Sequence, residues 1–240
     1  MNYFRQNSFL PPVTRNLIII NFLVWLASIT LPSILIKQFG IHFDPYNWFG
    51  LHYFQAKDFN VTQLFTYMFM HDPNGIGHVF FNMFSVFMFG RALEQFWGGK
   101  KFLFYYVTTG IGAAIIQQIV WYFIISDYVS HMPMIPDMAT FTNELLTVGA
   151  SGAVFGILLA FGMLFPNIPL YIMFIPIPIK AKYFVIFYGV LELFMGVGNL
   201  TGIKGDNIAH FAHLGGMLFG YLLILYWKKK GNNNNGTFYF

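Results

Sequence analysis

The sequence predicts an all-α polytopic membrane protein, and three observations predict it. Only 9% of the 240 residues are charged while 57% are hydrophobic, against roughly 25% charged residues in an ordinary soluble domain. Six apolar stretches approach the roughly 20 residues that cross a bilayer. Basic residues gather at alternate ends of those stretches, as they do on cytoplasmic loops. Cysteine is absent, which excludes a disulfide framework, thiol catalysis and thiolate metal sites.

In chain order, residues 1–13 are polar and broken by proline, with no short apolar core followed by a small-residue cleavage site. They read as a cytoplasmic tail, and the first span would direct insertion. Spans are expected near 16–36, 77–97, 102–126, 148–165, 181–198 and 208–227; together they form one membrane domain, 14–227. The fourth and fifth are short, which suits helices whose ends are covered by protein. The connection from Lys37 to Ile76 carries Trp48, Phe49, Tyr53, Phe54 and Phe59; it is too long for a passive link and reads as a structured loop lying partly in the outer leaflet. Pro166, Pro169, Pro176 and Pro178 punctuate the turn before the fifth span. Residues 228–240 are asparagine-rich and read as a disordered cytoplasmic tail. Of the 13 Lys and Arg, ten then lie on the cytoplasmic side and only Lys37, Lys57 and Lys204 outside, so six spans with both termini cytoplasmic satisfy the charge rule.

The chemistry starts from Thr147-Val-Gly-Ala-Ser-Gly-Ala-Val-Phe-Gly156. Gly149, Gly152 and Gly156 are spaced three and four apart, which on one helix makes a smooth face that another backbone can approach. Ser151 lies beside that face. Alone, a buried hydroxyl would merely bond back to a carbonyl one turn earlier. In the sixth span, however, His213 shares a face with Gly216 and Gly220, offering a base on a matching surface. With the amino terminus inside, the second, fourth and sixth spans all start on the outer side, which puts Ser151 and His213 within roughly 10 Å of it at about 1.5 Å per residue. His78 and Asn82, four apart at the start of the second span, reach the same layer. Polar groups are costly inside a membrane, so their convergence points to a reaction, and these groups suit acyl transfer. His213 would take the Ser151 proton, and Asn82, His78 and the Ser151 N–H would bind the oxyanion. No Asp or Glu is placed to orient the histidine, so a dyad is expected, with the Phe155 ring stacked on His213.

These residues resemble the rhomboid family of intramembrane serine proteases. The resemblance runs from His71 to Gly220 and rests on His78 to Asn82, on GASG at Gly149 to Gly152, and on AHLGG at Ala212 to Gly216 followed by Gly220. It implies a six-helix rhomboid-like bundle with Ser151 as nucleophile, His213 as general base and an oxyanion hole that includes His78 and Asn82. Gly90-Arg-Ala-Leu-Glu-Gln-Phe-Trp-Gly98 resembles the family's second-span ending, where Glu94 would be structural. Two features depart from the family pattern: Phe155 stands where many members have tyrosine, and the Trp-Arg pair common in the first loop is absent. The substrates implied are single-span membrane proteins cut near the outer end of the span at small residues. The lipid bilayer is the other partner; no cofactor, metal or nucleic acid is expected. A bacterial cytoplasmic membrane is the expected location.

Three alternatives remain. A metal site could use His210 and His213, although no HExxH pattern occurs and no carboxylate stands at ligand spacing in the sequence. An inactive rhomboid-like protein would bind client helices without cutting them; the presence of both dyad residues speaks against it. A transporter would show broken paired helices. Glu192 in the fifth span is left as a charge bonded to a neighbouring helix or close to water, and His210 as a group nearer the solvent than His213. The six-span topology predicts that reporter fusions at Lys57 and after Lys230 report opposite sides of the membrane; the same side for both would break the shared depth of Ser151, His213 and Asn82.

Overall fold

The computed structural model describes residues 9–131, 138–171, 177–200 and 209–233, and helices dominate it. Helix α1 spans Pro12–Phe39, with proline in its first turn, where no amide hydrogen is needed. It ends at Gly40, whose φ of 67° is the left-handed turn that lets Gly40 and Ile41 N–H reach the Ile36 and Leu35 carbonyls. The start of α1 lacks a side-chain cap of its own. That part is played by Glu94, whose carboxylate accepts from the N–H groups of Val13 and Thr14 (2.9 and 2.7 Å) and from the Thr14 hydroxyl (2.7 Å). An anion there meets the positive end of the helix dipole, and Glu94 is accordingly structural.

A structured connection follows, with α2 (Pro45–Phe49), β1 (Leu51–His52) and α3 (Gln63–Thr66). Without the Trp-Arg pair, this loop is tied down by other groups. Gln63 donates to the carbonyls of Asn47, Trp48 and Asp58. From a neighbouring helix, Gln118 donates to the His52 carbonyl (2.6 Å) and accepts from Phe54 N–H (2.9 Å). The Asp58 carboxylate accepts from Asn47 and Asn143, which holds it below the usual carboxylate range. Trp48 stays 65% exposed, as an aromatic at a membrane interface would.

The second span runs over Ile76–Trp97 as α4 (Ile76–Ser85), a wide π turn at Val86–Gly90, and α5 (Arg91–Trp97). Gly98, at φ 81°, turns the chain into α6 (Gly99–His131). The short helix α7 (Met138–Asn143) leads to β2 (Leu146–Thr147), which pairs antiparallel with β1 through Leu51–Thr147 and His52–Leu146. Helix α8 spans Ser151–Leu164; a ribbon of β3 (Pro169–Leu170) and β4 (Ile179–Lys180) precedes α9 (Ala181–Leu200), and α10 covers His210–Asn233. Pro133, Pro136 and Pro176, Lys204 and the tail beyond Asn233 lie outside the described residues.

Among the described residues, five helices are long and apolar enough to cross a membrane: Pro12–Phe39, Ile76–Trp97, Gly99–His131, Ala181–Gly198 and His210–Lys230. The remaining expected span, the fourth, near 148–165, is the shorter apolar helix α8, which starts only at Ser151 and has 14 residues. At about 1.5 Å per residue it is near 21 Å long, less than a ~30 Å hydrocarbon core. It can be short because it is the central helix, packed against α6, α9 and α10 and buried along most of its length. By contrast, α9 turns Tyr183, Ile186, Phe187, Val190, Phe194 and Val197 outward, a lipid-facing surface.

Replacing Glu94 by alanine is expected to lower stability by roughly 2–3 kcal/mol, the scale of lost hydrogen bonds to a charged group, read by unfolding in detergent micelles. An unchanged unfolding midpoint would remove Glu94 as the cap of α1.

Candidate active site

Ser151 is the first residue of α8, so its N–H is among those with no acceptor inside the helix. The strand before it fixes where that helix begins: Thr147 pairs with Leu51, and Gly149 N–H donates to the Tyr67 carbonyl at 3.0 Å. Tyr67 is itself held by its hydroxyl, which donates to the Gly110 carbonyl of α6 at 2.7 Å. Gly149 therefore precedes the helix rather than joining its packing face, which corrects the face inferred from the Gly149, Gly152, Gly156 spacing. Glycine is needed there because φ is 127° and because a Cβ would stand 2.9 Å from His78 Nε2.

The other glycines divide between two neighbours. A Cβ on Gly216 would fall inside the Gly152 carbonyl group, so α8 and α10 touch backbone to backbone at this point. Gly156 and Gly220 instead both face α6: a Cβ on Gly156 would meet Thr109, and one on Gly220 would meet the Tyr105 hydroxyl. Tyr105 donates to the Gly156 carbonyl at 2.9 Å. The sequence pattern, which set Gly156 and Gly220 against each other, finds its reason in a third helix that both must accommodate.

One turn before Gly216, His213 Nε2 stands 2.7 Å from Ser151 Oγ. The Phe155 ring lies flat on the imidazole, with centroids 4.3 Å apart and planes 8° from parallel. His213 Nδ1 is 2.9 Å from Glu192 Oε2, and His210 Nδ1 is 2.6 Å from the same oxygen. His213, His210 and Glu192 are all buried.

On the second span, His78 Nδ1 accepts from Asp72 N–H at 3.3 Å, so in neutral His78 the hydrogen is on Nε2. A Cβ on Gly149 would lie 2.9 Å from that nitrogen and 3.7 Å from Ser151 Oγ, so both border the space left by the glycine. Asn82, buried one turn further on, donates to the His78 carbonyl of its own helix at 3.0 Å, which employs one of its two amide hydrogens. His71 packs its ring against His78 with centroids 5.0 Å apart; burial pushes it down to about 4, so it stays neutral.

A family model described as the Rhomboid domain matches residues 58–230. The chain belongs to the rhomboid family. Among curated proteins it is similar to RHOMBOID-like protein 6, mitochondrial, of Arabidopsis thaliana, 30% identical over 164 residues that cover 67% of this chain and 42% of that protein. Rhomboid protein 1, mitochondrial, of Saccharomyces cerevisiae is 27% identical over 154 residues, 63% of this chain and 38% of its own. RHOMBOID-like protein 1 of Arabidopsis thaliana is 30% identical over 164 residues, 68% of this chain and 33% of its own. The chain thus spans about two fifths or less of the length of these relatives. Two are named as mitochondrial, and an expected bacterial cytoplasmic membrane finds no support among them. The family includes proteases and inactive members.

In this rhomboid two sequence inferences are overturned. A carboxylate does stand at His213, and His210 is buried against it rather than lying towards solvent, because α9 presents Glu192 to both histidines. The signal for it was in the sequence: Gly189, Glu192 and Gly196 are spaced three and four apart, the same small-residue face that was followed on the other helices. A Cβ on Gly189 would touch Met217 at 3.2 Å, and one on Gly196 would touch Phe211 at 3.1 Å, so this is the face of α9 that meets α10. Glu192, His210 and His213 also offer one ligand atom each within 4.8 Å of one another, the cluster among the described residues with the donor set of a metal site.

Proposed function

We propose that this rhomboid is an intramembrane serine endopeptidase that cuts single-span membrane proteins near the outer end of their transmembrane segments. The observation that carries this reading is the 2.7 Å approach of His213 Nε2 to Ser151 Oγ, made between two helices whose backbones touch. His213 takes the Ser151 proton as Oγ attacks the scissile carbonyl carbon, then gives it to the departing amine; water, activated by the same imidazole, releases the acyl group from Ser151. The oxyanion meets His78 Nε2–H, the Asn82 amide and the Ser151 N–H at the positive end of α8. Phe155 keeps the imidazole in its plane by stacking alone. The substrate helix must unwind locally, since a hydrogen-bonded backbone does not offer its carbonyl to attack.

The same reading gives six crossings with both termini cytoplasmic, α8 being the short fourth crossing. The catalytic residues then lie near the outer face, where water reaches them. The test is the purified protein in detergent, labelled with a fluorophosphonate and supplied with a transmembrane substrate. Labelling and cleavage, both lost in Ser151→Ala, support the protease; a folded wild-type protein that does neither would overturn it.

His213→Ala is expected to abolish cleavage and labelling, a loss on the order of 10⁴ or more, while His210→Ala costs much less. Equal losses together with sensitivity to a chelator would assign the cluster to a metal ion instead. Asn82→Ala should slow turnover by about 10² to 10³ and leave labelling of Ser151 detectable; an unchanged rate in the folded variant would take Asn82 out of the oxyanion site.

A further inference from the structure

Glu192 is a buried carboxylate on a helix whose outer face is lipid-exposed, and the Ser151–His213 reaction has not required it. Such a group is unfavourable inside a membrane unless its bonds are satisfied. Its neighbours are the two histidines of α10, both through Nδ1 and both on one oxygen. We propose that Glu192 is a positioning residue that completes a Ser151–His213–Glu192 triad, with His210 bracing its carboxylate. This deepens the protease reading of the site and rests on it.

A carboxylate oxygen can only accept, so the His213 nitrogen 2.9 Å from it carries the hydrogen. Neutral His213 is thereby the Nδ1–H tautomer, and its Nε2 lone pair faces Ser151 Oγ. With the other tautomer, Nε2–H would donate to the serine and no base would be present. During attack the serine proton moves to Nε2 while the Nδ1 hydrogen stays where it is; the imidazolium so formed is paired with the carboxylate, which itself takes no proton. His210, 2.6 Å from the same Oε2, supplies a second N–H that stops the carboxylate rotating away. Phe155 fixes the plane of the imidazole, but an unsubstituted ring cannot select which nitrogen bears the hydrogen. Glu192 makes that selection.

The distances favour this role over metal binding. Ligands about 2.1 Å from a tetrahedral zinc stand about 3.4 Å apart, whereas separations of 2.6 and 2.9 Å are those of hydrogen bonds. The approach is built into α9: Gly189 and Gly196 flank Glu192 on the face that meets α10.

Steady-state cleavage by Glu192→Gln is expected to show kcat lowered by roughly 10² to 10⁴ with KM unchanged, because the amide gives the imidazole a weaker acceptor and a competing donor. A second measurement needs no change at Glu192. Histidine-selective ¹⁵N spectra of Ser151→Ala protein, with the His213 signal identified by its loss on His213→Ala, should show the Nδ1–H tautomer. A kcat within threefold of wild type in folded Glu192→Gln protein overturns the proposal, and so does an Nε2–H tautomer even where the glutamine variant does not fold. If Ser151→Ala and His213→Ala retain cleavage, the protease reading itself fails; if they abolish it while Glu192→Gln does not, only the role of Glu192 falls.

Discussion

The backbone contact between Gly152 and Gly216 is the constraint on which the site depends. The 2.7 Å hydrogen bond between Ser151 and His213 joins the two helices beside the point where their backbones touch. Lipid chains are as apolar as leucine, so helices in a bilayer gain little by burying large apolar groups against each other. They gain by approaching closely enough for van der Waals contact along the backbone. Any side chain at Gly216 would strike the Gly152 carbonyl, and the histidine one turn earlier would move with the helix. Gly156 and Gly220 extend the principle to a third member, since both accommodate α6, and Tyr105 turns that close approach into a hydrogen bond.

The short α8 follows from the same geometry. A helix of 14 residues leaves its amino end inside the protein, where the chain before it must be non-helical yet bonded. The β1–β2 pairing, the bond from Gly149 to Tyr67, and the bond from Tyr67 to Gly110 meet that requirement. The first loop therefore sets the position and direction of Ser151 through Tyr67 and Leu51. Its attachments by Gln63, Gln118 and Asp58 are polar and multiple, and they hold the loop in place.

Several polar groups in the bundle are held by specific partners. Glu94 accepts three hydrogen bonds at the start of α1. Glu192 receives two histidines, and His78 is held between Asp72 N–H and the His71 ring. In a low dielectric an unpaired group of this kind would be strongly unfavourable, whereas a paired one holds its orientation firmly. A reaction that develops charge can use such fixed dipoles without first reorganising them.

The sequence by itself determined the membrane class, the place of most helices, and the residues of the candidate dyad, because these rest on local quantities: apolar run length, small-residue spacing and the pairing of a serine with a histidine on smooth faces. The stacking of Phe155 on His213 was legible for the same reason, Phe155 being one turn from Ser151. Tertiary structure alone decided how the glycines pair, that Gly149 belongs to a turn beside His78, and that α8 begins only at the serine. It also brought Glu192 to His213. That last contact joins residues 21 apart in the chain, on separate helices joined by a connecting segment. Periodicity could show that Glu192 shares a face with Gly189 and Gly196, but which helix that face meets depends on the rotation of α9 about its own axis, a quantity fixed only when every neighbouring helix is in place.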